Sequence, residues 1–115
     1  MLPGFFIDDH LTITPLHDTG GVRLRLEGEP RLAHHEPLTE AVNACMRAAD
    51  EVTIDCRRLA SLSDGILHTF VALAGGLRPP QTLYLKAAPE LALAERCASQ
   101  GWDQIPTLRL VLICA

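Results

Sequence analysis

Apolar and polar residues alternate twice near the start of the chain, in Leu11 to Pro15 and again in Val22-Arg23-Leu24-Arg25-Leu26, with His17-Asp18-Thr19-Gly20-Gly21 between them. Alternation on both sides of a glycine-rich turn predicts a β-hairpin, and the proline closing the first strand favours a sheet edge because it donates nothing to a ladder. Gly28-Glu29-Pro30-Arg31 then breaks the pattern. Pro37 suits the first position of a helix, and Leu38, Ala41, Val42, Cys45 and Ala49 follow on one helical face. Val52, Thr53 and Ile54 form a β-branched run ending in Asp55, after which Ile66, Phe70, Leu73 and Leu77 recur at helical spacing. Arg78-Pro79-Pro80 interrupts, Gln81 to Lys86 alternates as a strand, and Pro89 opens a last helix with Leu91, Ala94 and Ala98 on one face and Gly101 as its cap. Leu108 to Cys114 closes the chain as a strand.

The order β-β-α-β-α-β-α-β predicts an α/β (mixed α+β) domain with a mixed sheet of about five strands and helices packed on it. Residues 1–115 form a single domain, with Val42, Val52, Ile54, Phe70, Leu73, Leu83 and Leu110 in its core.

Composition narrows the function classes. A 48% hydrophobic and 21% charged chain with net charge -4 fits a globular protein. Its acidity and its few aromatics (Phe5, Phe6, Phe70, Tyr84, Trp102) give no footprint for direct nucleic-acid binding. The first ten residues lack the positive lead of a secretory signal, and no apolar run reaches the roughly 20 residues of a membrane helix, so the expected location is cytoplasmic. Cys45, Cys56, Cys97 and Cys114 are scattered without a paired motif and read as core thiols in preference to disulfides or a zinc site.

Catalytic constellations are weak. His34-His35-Glu36 is the densest polar cluster, but neighbouring histidines diverge on a helix, and a solvated helix start explains them. Asp64 and His68 lie four apart and could meet at a helix start, with no nucleophile to complete a triad. Gly20, Gly21, Gly75 and Gly76 match no nucleotide loop. Ser61, Ser63, Asp64 and Gly65 sit where the second helix begins, a place with free N–H groups and the positive end of the helix dipole. Asp64 there is an N-cap or a fixed negative charge, and Ser61 and Ser63 are capping or loop hydroxyls.

Order and spacing from Leu11 onward resemble the STAS domain, the fold of bacterial anti-sigma-factor antagonists. Members show a glycine-acid pair after the second strand, a strand ending in Asp-Leu-Ser-x-Leu, and a loop with Asp-Ser-x-Gly-Leu opening a helix. Gly28-Glu29 matches the first element, Asp55 and Leu59 the second, and Leu62-Ser63-Asp64-Gly65-Ile66-Leu67 the third. Counted without gaps from Asp55, the family's Asp falls on Ser63, its phosphorylatable Ser on Asp64 and its Gly on Ile66, so the pair is inverted to Ser-Asp. A gapped alignment places Gly65 on the family glycine but loses the apolar spacing of Leu67 and Phe70. Arg31, preceded by Pro30, replaces the acid usual two positions beyond Gly-Glu.

The resemblance implies a non-enzymatic protein-binding module of bacterial transcription regulation by partner switching, which docks on an anti-sigma factor or a related kinase. The implied docking surface is Glu29, Arg31, Ser61, Ser63, Asp64, Gly65 and His68. The phosphorylation-site equivalent is Asp64, with Ser63 as the alternative. No metal, cofactor, direct nucleic-acid contact or membrane insertion is implied. Other relatives imply two further readings: an accessory subunit of a membrane transporter or phospholipid-transport complex, and a small-ligand sensor.

Overall fold

The computed structural model describes residues 6–18 and 21–112. Two eight-residue strands, β2 (Leu11–Asp18) and β3 (Gly21–Gly28), pair antiparallel from Asp18–Gly21 to Leu11–Gly28. Both run longer than the alternation predicts, and the turn residues Thr19 and Gly20 lie outside the described residues. A two-residue strand β1 (Phe6–Ile7), too short for any pattern, pairs with β2 at Thr12 and Ile13. Then β3, β4 (Glu51–Leu59), β5 (Thr82–Ala87) and β6 (Leu108–Leu112) lie side by side and parallel. The result is the expected mixed sheet, five main strands with β1 added at one edge.

Helices α1 (His35–Ala48), α2 (Asp64–Gly75) and α3 (Leu93–Ser99) are the crossovers of this parallel set. Right-handed crossovers between strands that advance in one direction put every helix on the same face of the sheet. Burial agrees: Val22, Leu24, Leu26, Val52, Ile54, Leu83 and Leu85 point into the helices, each at most 4% exposed. Phe70 is fully buried at the centre of α2. Of the expected core, Val42, Val52, Ile54, Phe70 and Leu83 are buried, while Leu73 and Leu110 are half-buried at its margin. Cys45, Cys56 and Cys97 are buried free thiols, and Cys114 lies outside the described residues.

Four local expectations change. Strand β4 does not stop at Asp55 but continues to Leu59, because one extra residue between the Arg25–Asp55 and Glu27–Arg58 pairs shifts its phase and turns Leu59 inward. Helix α1 starts at His35 after a 3-10 turn (Leu32–His34), so Pro37 sits inside the first turn. Pro89–Leu91 is a separate 3-10 turn, ended by Ala92 at φ 51° and ψ 41°. That left-handed residue resets the phase of the helix after it, so α3 buries Leu93 and Cys97 and leaves Ala98 exposed. Gly101, at φ 74°, lies beyond a further residue, Gln100, and opens the 3-10 turn Trp102–Gln104.

The start of α2 as a candidate docking site

At the carboxyl ends of β3 and β4 the chain makes two tight turns that share a border. Gly28 adopts φ 111°, and a Cβ there would lie 2.3 Å from the His10 carbonyl oxygen. Only glycine lets β3 turn out of the sheet at this point. Its own carbonyl accepts the Ala60 N–H at 2.8 Å, tying the exit of β3 to the exit of β4. Glu29 and Arg31 follow, both exposed, with Arg31 Nη2 3.9 Å from Glu29 Oε1.

Ser63, with extended backbone (φ -70°, ψ 156°), caps α2, and its Oγ accepts the Ile66 N–H at 3.3 Å. Asp64 is therefore the first helical residue and not the cap, since a cap needs the extended conformation that Ser63 holds. The Asp64 carboxylate turns toward α3: Arg96 donates to its Oδ1 from Nη2 at 2.7 Å and from Nε at 3.1 Å. Arg96 also donates to the carbonyls of Leu62 and Leu91, so one guanidinium ties the α2 loop to α3. The possible Asp64–His68 pair is replaced on both sides. His68 stacks on Trp102, ring centroids 5.3 Å apart and planes 16° from parallel.

The adjacent histidines are not a solvated pair. His34 is 4% exposed; its Nδ1 accepts the Arg31 N–H at 2.8 Å, so the proton is on Nε2, which donates to Asp8 Oδ2 at 2.6 Å. Asp8 also accepts the N–H groups of His10 and Leu11 at 2.8 Å each. The His10 bond first, then the His34 bond, hold its carboxyl down at about 2. His35 Nδ1 lies 2.8 Å from Thr69 Oγ1, whose single proton goes to the Gly65 carbonyl; Thr69 thus accepts and His35 donates. The His34–Asp8 bond ties this segment to the turn before β2, and the His35–Thr69 bond ties it to α2.

Glu29, Arg31, Ser61, Ser63, Asp64, Gly65 and His68 are all exposed. One residue the sequence pattern did not single out lies among them. Leu32, 74% exposed, places Cδ2 2.9 Å from where a Gly65 Cβ would stand, so it lies over the start of α2. Its only sequence signal is an apolar side chain inside a polar turn. The 29–32 turn and the α2 start thus form one continuous surface through Leu32 and Gly65. The Asp64–Arg96 pair and the His68–Trp102 stack tie its other side to α3 and the turn beyond.

Among the described residues no group of three His, Cys, Asp or Glu side chains is arranged to hold a metal, and no helix is long and apolar enough to cross a membrane. An open hollow of about 260 Å³, lined by Gln104, Ile105, Pro106, Leu108 and Arg109, shares no residue with this surface.

Comparison with known proteins places this geometry in context. No curated protein matches the chain. A crystal structure of an anti-sigma factor antagonist from Mycobacterium paratuberculosis has the same fold, with a TM-score of 0.72 at 17% identity over 90% of this chain and 88% of that one. The family model described as Mlab, STAS domain matches residues 15–112. With the fold and nearly the full length matched, the chain belongs to the STAS domain family.

Proposed function

We propose that this domain is a regulatory protein-binding module that docks a protein partner, an anti-sigma factor or a related kinase, through the start of α2 and the adjoining 29–32 turn. The observation that carries the reading is Leu32, a large apolar side chain left 74% exposed beside seven exposed polar or small positions. An apolar anchor inside a polar rim is the usual anatomy of a binding hot spot. The regulatory, non-enzymatic character of the family supports the same reading.

A second reading, an accessory subunit of a membrane transporter or phospholipid-transport complex, is favoured by Asp64. Counted without gaps, the family's phosphoacceptor falls on Asp64, which has no hydroxyl, and a permanent subunit needs no cycle of phosphorylation.

The test is affinity capture from native lysate with the natural protein, with Leu32→Glu, and with Arg47→Gln on the exposed end of α1 as a control. An anti-sigma factor retained by the natural protein and by the control, but lost with Leu32→Glu, supports the first reading. A transporter ATPase with the same dependence supports the second. Capture that Leu32→Glu leaves unchanged overturns the docking surface.

A further inference from the structure

With all three helices on one side, no described helix packs on the other face of the sheet, and its charge opposes that of the molecule. Register sets Arg23 of β3 beside Thr53 of β4, Thr53 beside Tyr84 of β5, and Tyr84 beside Arg109 of β6. In the next row Asp55 lies beside Lys86. Asp55 is 2% exposed and spent on Arg57, which donates to its two oxygens at 2.9 and 2.7 Å. Arg23, Lys86 and Arg109 make no ion pair within 4 Å among the described residues, although the Arg23 charge does act on Asp55 at longer range. Arg23 Nε is, moreover, buried without a hydrogen-bond acceptor. A carboxylate brought to the accessible ends of these cations would make charge-assisted hydrogen bonds that the fold does not already supply.

We infer that this sheet face is a second interaction surface, and that it binds an acidic segment of a partner protein. Arg23 and Arg109 stand about 14 Å apart across three strand spacings, with the Thr53 and Tyr84 hydroxyls between them. That span suits two or three carboxylates on a short segment. The chain's net charge of -4 disfavours an extended polyanion, whose approach is governed by the charge of the whole molecule. A short acidic segment acts within the Debye length of about 8 Å, where the local cations dominate. Leu16 beside Arg23 and Val111 beside Lys86 are single apolar neighbours, too few to seat a lipid surface, and a nucleic acid would need several stacking rings where these rows hold Tyr84 alone.

The test uses the whole domain and a short poly-glutamate peptide just long enough to bridge Arg23 and Arg109, with poly-glutamine of the same length as the neutral control. Binding is followed by amide chemical shifts in heteronuclear NMR, in parallel with sedimentation on phosphatidylserine vesicles. Poly-glutamate should shift the amides around Arg23, Tyr84 and Arg109. Arg23→Gln with Arg109→Gln should weaken binding at least tenfold, as should Lys86→Gln with Arg109→Gln, which leaves Arg23 intact if that residue matters for folding. Arg47→Gln with Arg78→Gln removes the same charge elsewhere, at two exposed positions, and should leave the affinity unchanged. Equal weakening in all three double variants, shifts confined to other surfaces, or binding to vesicles without binding to poly-glutamate would each overturn the inference.

Discussion

Arg96 on α3 donates twice to Asp64 Oδ1 at the first turn of α2, at 2.7 and 3.1 Å, across 32 residues of sequence. The Asp64 carboxylate is thus answered by a cation of the same chain.

The two members of this pair should be unequal in stability. Asp64→Ala removes an exposed ion pair and should cost at most about 1 kcal/mol. Arg96→Ala also strips the Leu62 and Leu91 carbonyls of their donor and should cost about 1 to 3 kcal/mol. Urea denaturation of both variants decides it, and an Asp64→Ala loss larger than that of Arg96→Ala would contradict the geometry. On binding to the captured partner, a phosphate-like role predicts opposite signs by calorimetry. Asp64→Ala should strengthen the complex and Arg96→Ala, which bares the charge, should weaken it. If both weaken it, Asp64 serves to hold the loop or to touch the partner.

Two glycines at this surface should respond differently to the same methyl. Gly28→Ala forces a side chain into φ 111° against the His10 carbonyl and should cost at least about 1 to 3 kcal/mol. Gly65→Ala meets only the mobile end of exposed Leu32 and gains up to about 1 kcal/mol of helix propensity. Its stability should change by less than about 1 kcal/mol while Leu32 is displaced. Thermal melts and Leu32 methyl shifts report the two effects separately.

Acid should destabilise the domain through Asp8 and Asp55. Burial pushes the Asp55 carboxyl up, but the Arg57 hydrogen bonds and the charges of Arg57 and Arg23 leave it below its ordinary value of 3.8. Asp8 is held at about 2. Depressed carboxyls add stability that is complete above the unfolded pKa and is lost as pH falls through the folded one. Stability should therefore be flat in these groups above about pH 5 and decline from about pH 4 toward pH 2. Asp8→Asn should lower stability at neutral pH and reduce that decline; an unchanged acid limb would remove Asp8 from the account.

Burial pushes the Cys45 thiol up to about 11, and burial with the neighbouring Asp55 charge pushes Cys56 to about 12. Neither offers thiolate at pH 8, so iodoacetamide should label them only at the rate of global unfolding. Mass spectrometry of peptides after timed labelling checks this, and fast native labelling at either site would show an opening the fold does not contain.

The periodic parts of this fold were legible because each is a local repeat against one core: Leu38, Ala41, Val42 and Cys45 on α1, or Val52 and Ile54 on β4. What escaped was non-local. His34 reads as a surface histidine until Asp8 approaches from 26 residues away, and Asp64 reads as a cap until Arg96 reaches it. The reach of β4 to Leu59 depends on a partner strand taking up an extra residue, and the break at Ala92 is a backbone conformation that alanine does not announce. The candidate docking residues were named from their order beside a known motif, but Leu32 emerged only once the 29–32 turn was seen folded over Gly65.

The sheet has two unlike margins. Strand β1 covers β2 only at Thr12 and Ile13, and beyond it stands Pro15, opposite Leu24. Counted from the closing Asp18–Gly21 pair, that position turns its nitrogen outward, where a proline has no hydrogen to offer a neighbouring strand. The first margin is thus blunted against chain-to-chain templating by a missing donor at one residue. Over Leu108–Leu112, strand β6 contains no proline, so self-association through the backbone, if destabilising conditions provoke it, should begin there.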